Sequence, residues 1–235
     1  MSDPLRLGIA GLGTVGVGVV RIIRQQAALL SARTGRQITI SAVSARSKGR
    51  DRGISLSGYA WEDDPVALAT RDDVDVFVEL MGGEDGPAKD ATEAALKAGK
   101  HVVTANKAML AHHGQSLAIA AEAAGVALRY EAAVAGGIPV IKSVREGLAA
   151  NRIDTIAGII NGTGNYILTE MRAGREFGEV LKEAQALGYA EADPTFDVEG
   201  IDAAHKLALL ASIAFGIPLQ FDKVYCEGIT GITLQ

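Results

Sequence analysis

Residues 5–16 read LRLGIAGLGTVG, an apolar run that passes directly into Gly11-Leu12-Gly13-Thr14-Val15-Gly16. Apolar positions at helical spacing follow over residues 14–30, with Arg21 and Arg24 on another face. A short apolar run bounded by glycine reads as a buried strand. In a strand–loop–helix unit the first glycine permits the turn, the second lets backbone approach a pyrophosphate, and the third lets helix and strand pack closely. The pyrophosphate then rests on free N–H groups at the helix start. Gly11, Gly13, Thr14, Val15 and Gly16 are therefore candidate dinucleotide-binding residues. Tight helix–strand packing without any ligand is the competing account of the same glycines.

The same alternation continues outward. Residues 37–45 (QITISAVSA) alternate and are rich in β-branched residues, as in a strand. Asp64-Pro65 has the form of a helix start, an acidic cap followed by proline. Residues 74–80 (VDVFVEL), 100–105 (KHVVTA) and 126–131 (VALRYE) read as further strands, separated by helices over Ala88–Gly99 and an alanine-rich stretch. Strands alternating with helices predict parallel βαβ units in a doubly wound α/β sheet, with a ligand crevice at the strand carboxyl ends. The rhythm changes after about Gly136: a helix over 138–150, a strand over 151–160 (NRIDTIAGII), helices near 163–173 and 176–187, an acidic loop, and a helix over about 202–215. The expected division is a dinucleotide-binding domain over 1–135 and a smaller α+β substrate domain over 136–235.

Composition narrows the function. Glycine supplies 28 of 235 residues, about 12% against a usual 7%. Aromatic residues are 5% and the net charge is -5, which argues against a base-stacking or phosphate-tracking nucleic-acid surface. The apolar run Leu207–Leu219 is broken by Ser212, Gly216 and Pro218 and is too short for a bilayer. No signal-peptide pattern opens the chain. One cysteine, Cys226, allows no intrachain disulfide and fits a reducing compartment. A soluble cytoplasmic protein is expected, with a buried, structural Cys226.

Two clusters carry further chemistry. The second strand ends in Ser44-Ala45-Arg46-Ser47-Lys48-Gly49-Arg50. NAD sites usually place an acid there to grip the adenosine ribose, whereas arginine accommodates a 2′-phosphate. Arg46 and Lys48 therefore favour NADP(H), while Asp51 leaves NAD(H) open and a solvated basic loop remains the plainer reading. Residues 188–206 (GYAEADPTFDVEGIDAAHK) hold Glu191, Asp193, Asp197, Glu199 and Asp202. A calcium loop fails, because Phe196 occupies the position where the sharp turn needs glycine. Asp202 and Lys206 stand i,i+4 on one helix face: either a surface ion pair worth a few tenths of a kcal/mol, or a lysine held by a carboxylate for proton transfer. His205 points about 100° away on that helix. Lys107 follows a strand at the carboxyl edge of the sheet, where a lysine meets substrate or cofactor or caps an exposed helix start.

The segments GLGTVG (11–16), TANKAML (104–110), EAAVAGGIP (131–139), NGTGNYIL (161–168) and GYAEADPTFDVEGIDAAHKLALL (188–210) together resemble the homoserine dehydrogenases. The resemblance runs along essentially the whole chain. It implies a Rossmann-like cofactor domain, interconversion of L-aspartate 4-semialdehyde and L-homoserine with NAD(P)(H) on the route to threonine and methionine, and a homodimer. It further implies that Lys206 transfers the proton, that Asp202 and Glu191 hold the amino end of the substrate, that Lys107 lies beside substrate and nicotinamide, and that Gly188 offers backbone to both. A sodium or other monovalent cation would sit at Glu131, Val134, Gly136 and Ile138, largely on backbone carbonyls. Relatives extend past the residue matching Gln235, so the substrate domain is expected to be incomplete. The competing functions are another Rossmann-type NADP oxidoreductase of a small amino or hydroxy acid, and a dinucleotide-binding module without turnover.

Overall fold

A computed structural model describes residues 3–233. The described chain divides into two compact units, the first running to Ile138 and the second beginning at Pro139. The sequence reading puts a division after residue 135, three residues earlier.

The first unit is a six-stranded, wholly parallel sheet in the order β3-β2-β1-β4-β5-β6. Its strands are β1 (Leu5–Ala10), β2 (Ile38–Ser44), β3 (Ala60–Glu62), β4 (Val76–Glu79), β5 (His101–Thr104) and β6 (Leu128–Arg129). The helices are α1 (Thr14–Gln25), α2 (Ala27–Thr34), α3 (Pro65–Ala69), α4 (Pro87–Lys97), α5 (Lys107–Ala123) and a single turn α6 (Glu131–Val134). Two halves meet at β1, the doubly wound arrangement whose crevice opens at the carboxyl ends on either side of that strand. Parallel strands covered by helices are apolar on both faces, and Ile9, Val43 and Phe77 are buried. Burying each such side chain stabilises the fold by about 1.5–3 kcal/mol.

Local chemistry sets the helix boundaries. Asp64 accepts from the Val66 N–H at 2.9 Å with Pro65 in the first helical position. Asn106 caps α5 through Met109 N–H at 3.0 Å. Gly35 ends α2 in the left-handed region at φ 69°. The apolar pattern of 14–30 becomes two helices, because Gln26 leaves helical geometry at φ −106°, ψ 16°. Neither glycine nor proline stands at that break. The edge strand β3 is three residues long, too short for periodicity to reveal.

The second unit contains α7 (Val140–Lys142), a π-helical turn (Ser143–Gly147), α8 (Gly162–Arg172), α9 (Phe177–Ala186), α10 (Thr195–Val198), α11 (Ile201–Phe215) and a 3₁₀ turn (Phe221–Lys223). The expected helix over 138–150 is thus a short helix and a wide turn. The expected strand over 151–160 is not formed among the described residues. A strand exists through its ladder, and among the described residues no neighbouring strand pairs with this segment. Ile167, Met171, Val180, Ala184, Ala190 and Val198 form the core of the second unit, packing α8, α9 and α10 together.

Candidate functional site

In the first unit, Gly11 adopts φ +96° and its N–H donates to Ser44 O at 2.9 Å. A Cβ on Gly11 would stand 2.3 Å from Leu80 O, and one on Gly16 would stand 1.9 Å from Gly11 O. These two glycines are demanded by the protein itself. Gly13 differs: a Cβ there would meet nothing within 4 Å. It caps α1 without offering a side chain, so Thr14, Val15 and Gly16 begin a helix whose N-terminal face is open to an anion. The space a Cβ would fill at Gly13 suits a pyrophosphate.

The basic loop leaves β2 on one side of this turn. Arg46 and Lys48 are exposed. Lys48 Nζ and the Arg52 guanidinium lie 5.9 and 5.6 Å from the centre of the Trp61 ring, within cation–π range. Arg52 donates to Ser47 O at 2.6 Å and to Arg50 O at 2.8 Å, bracing the loop. The Asp51 carboxylate accepts the Gly53 N–H at 2.8 Å. Asp51 is therefore occupied in a turn.

On the other side of β1, Lys107 is half-buried at the start of α5. Glu131 to Val134 form α6, where Glu131 O accepts the Ala135 N–H at 3.0 Å and Ala135 O accepts the Ile138 N–H at 3.2 Å. Gly136 and the exposed Ile138 follow.

The second unit holds a cleft of 610 Å³. Lys206 and Asp202 form one wall, from successive turns of α11. Lys206 Nζ donates to Asp202 Oδ2 at 2.6 Å and to Ile160 O at 2.8 Å. An ammonium has three N–H groups, so one remains for the cleft. The Asp202 and Lys206 side chains are 8% and 18% exposed. That burial sets the pair apart from a solvated surface contact. Asp202 also lies in the first turn of its helix, where negative charge is favoured.

Asn161 joins this pair from the start of α8. Its Oδ1 accepts the Gly164 N–H at 2.6 Å and caps α8, while Nδ2 donates to Asp197 Oδ1 at 2.7 Å and Asp202 Oδ2 at 2.8 Å. Every polar function of that amide is used. Thr163 Oγ1 donates to Tyr189 O at 2.6 Å. Gly188 ends α9 at φ +76° and turns its backbone into the cleft. Tyr166 and Tyr189 meet edge to face at 5.2 Å. The Tyr166 hydroxyl donates to Glu183 Oε1 at 2.8 Å, and Arg175 holds the other Glu183 oxygen. Arg175 holds the Glu183 carboxyl below its ordinary pKa, and Glu183 raises that of the Tyr166 phenol.

Lys206, Asp202 and Gly188 line one cleft. Glu191 is exposed and does not line the cleft; Gln185 Nε2 donates to its backbone carbonyl at 3.0 Å. His205 is buried against Phe221, ring centres 4.4 Å apart, and takes no part. Cys226 is exposed, contrary to the buried position expected, and its Sγ donates to Glu199 O at 3.1 Å. Asn161, Thr163 and Asp197 were given no role by the sequence reading. An asparagine before Gly-Thr-Gly at a helix start is the one signal that marks a cap there. Among the described residues no group of three or more His, Cys, Asp or Glu side chains could hold a metal ion. Among the described residues no helix is long and apolar enough to cross a membrane.

Comparison with known proteins agrees with both units. Residues 11–131 match the family model for the homoserine dehydrogenase NAD-binding domain, and residues 139–235 match that for homoserine dehydrogenase. The homoserine dehydrogenase of Neisseria gonorrhoeae is 55% identical over 228 residues, 97% of this chain and 52% of the relative. The chain spans about half the length of the curated relatives it matches. The crystal structure of a homoserine dehydrogenase from Thiobacillus denitrificans superposes with a TM-score of 0.93 at 50% identity, covering 98% of this chain and 53% of that one. A hyperthermophilic archaeal homoserine dehydrogenase mutant in complex with NADPH gives a TM-score of 0.85 at 25% identity, over 98% of this chain and 75% of that one. With a matching cofactor domain, a matching catalytic domain and relatives this similar, the chain belongs to the homoserine dehydrogenase family.

Proposed function

We propose that this chain carries the cofactor and substrate sites of an NADP(H)-dependent oxidoreductase that interconverts L-aspartate 4-semialdehyde and L-homoserine, a cytoplasmic step toward threonine and methionine. The observation that carries the reading is Lys206: a largely buried ammonium, held by Asp202 and Ile160 O, with one N–H left for the cleft. A nicotinamide, when bound, supplies or accepts hydride at the carbon bearing the oxygen. The protein's task is the oxygen. Lys206 polarises the aldehyde and delivers the proton that the developing alkoxide needs. Asp202 orients Lys206, and together with Asp197 offers negative charge to the amino end of the substrate. The exposed Glu191 is proposed to meet the same amino group from the cleft's rim. Lys107 is proposed beside substrate and nicotinamide, and Gly188 as a backbone contact for both.

Gly11, Gly13, Thr14, Val15 and Gly16 would hold the pyrophosphate. Arg46 and Lys48 support NADP(H), since Asp51 is engaged with Gly53 rather than free for a ribose hydroxyl. The carbonyls and carboxylate over Glu131, Val134, Gly136 and Ile138 are hard oxygen donors of the kind that suits sodium or another monovalent cation. A homodimer is the proposed assembly, and light scattering tests it.

The experiment is NADPH oxidation with L-aspartate 4-semialdehyde, comparing the parent with Lys206→Ala. Turnover is expected to fall at least about 100-fold while the Kd for NADPH stays within about twofold. A Lys206→Ala protein that turns over normally, or that loses NADPH affinity in parallel, overturns the assignment.

A further inference from the structure

Three buried polar side chains stand at the carboxyl edge of the sheet in the first unit. Glu79, Thr104 and Asn106 are 0%, 1% and 6% exposed. Glu79 ends β4 and Thr104 ends β5, directly opposite in register. Thr104 Oγ1 donates to Glu79 Oε2 at 2.6 Å. The N–H groups of Met81 and Gly82 donate to Glu79 Oε1 at 2.7 and 3.2 Å. The Asn106 N–H donates to Thr104 Oγ1 at 2.9 Å, and Asn106 Nδ2 donates to Gly83 O at 2.6 Å. Asn106 Oδ1 meanwhile caps the helix that begins at Lys107.

A buried carboxylate is tolerated only where its oxygens are satisfied, and here both are. This network stitches the loop after β4 to the loop after β5. The strand order assigns those loops a ligand. In a doubly wound sheet the β1 turn takes the pyrophosphate and the β2 exit takes the adenosine ribose, which leaves the β4 and β5 exits for the other half of the dinucleotide. Gly82 and Gly83, at φ +80° and +94°, offer bare backbone there, and Lys107 follows Asn106.

We infer that Glu79, Thr104 and Asn106 are positioning residues for the nicotinamide half of the cofactor. They hold the 81–83 backbone and the Lys107 end of α5 at one separation. This rests on the dinucleotide reading above and is independent of the substrate.

The test compares affinities for NADPH and for 2′,5′-ADP, which carries the adenine half alone. Thr104→Ser keeps the hydroxyl and is expected to match the parent on both. Thr104→Val is expected to weaken NADPH about tenfold and to leave 2′,5′-ADP within about twofold. Asn106→Asp keeps the helix cap but loses the donor to Gly83, and is expected to show the same selective loss. It carries the test should Thr104→Val fail to fold. Equal losses on both ligands, or no loss on NADPH, overturn the inference. A parent that binds neither ligand overturns the dinucleotide reading itself.

Discussion

Single residues divide here between those the protein requires and those a ligand requires, and the glycine turn separates the two. At Gly16 an added Cβ would lie 1.9 Å from the backbone oxygen of Gly11, so backbone must move. At Gly13 an added Cβ meets nothing within 4 Å, and φ −78° is ordinary for alanine. Gly16→Ala is therefore expected to destabilise the chain by about 2 kcal/mol or more, as forced overpacking does. Gly13→Ala is expected to leave stability within about 0.5 kcal/mol yet weaken NADPH about tenfold or more, by occupying the space of the pyrophosphate. Chemical denaturation and a binding titration on the two variants check this; an intact Kd in Gly13→Ala removes the ligand from that turn. The demand for glycine at position 16 was legible in sequence because its steric cause, the Gly11 carbonyl, is local. Asn161 was not: its partners Asp197 and Asp202 lie 36 and 41 residues away, and no periodicity announces such a meeting.

At the level of elements, strands and helices of the first unit were readable because buried parallel strands are continuous apolar runs and caps are local chemistry. Failures occurred where an element depends on something distant. The segment 151–160 has a strand's composition but no partner among the described residues. In the second unit, α8 and α9 are joined in two ways, by an apolar core and by a polar cluster. Ile167 is fully buried between them. Arg175 reaches Glu170, Glu179 and Glu183 but keeps 28% of its side chain exposed. Truncating a buried isoleucine to alanine costs about 2–5 kcal/mol, whereas water competes for exposed ion pairs. Ile167→Ala is expected to destabilise the second unit by about 3 kcal/mol, and Arg175→Met by less. Urea unfolding of both variants measures the order; a larger loss for Arg175→Met would mean that the polar cluster, not the core, holds the hairpin.

For the whole molecule, charge is where many small terms act in one direction. The chain is acidic, at -5, and several of its carboxylates are held below their ordinary pKa. Asp75 is the clearest: the Arg6 side chain, at 2.7 Å, and the Arg6 backbone N–H, at 2.8 Å, bring it down to about 2. Arg71 lowers Asp73, Arg175 lowers Glu183, and Thr195 lowers Asp193. An unfolded aspartate titrates near 3.9. Between about pH 2 and pH 4 the unfolded chain therefore binds more protons than the folded one, and stability rises with pH. For Asp75 the stabilisation is fully present above about pH 5, declines below 4, and is mostly gone by about pH 2. Solvent screening of this partly exposed carboxylate limits its share to about 1 kcal/mol. Asp75→Asn is accordingly expected to be about 1 kcal/mol less stable than the parent at pH 6 and to converge with it near pH 2. Denaturant midpoints measured along that pH range decide the point, since a difference that stays constant from pH 6 to pH 2 would show that the loss comes from packing or hydrogen bonding rather than from the charge on Asp75.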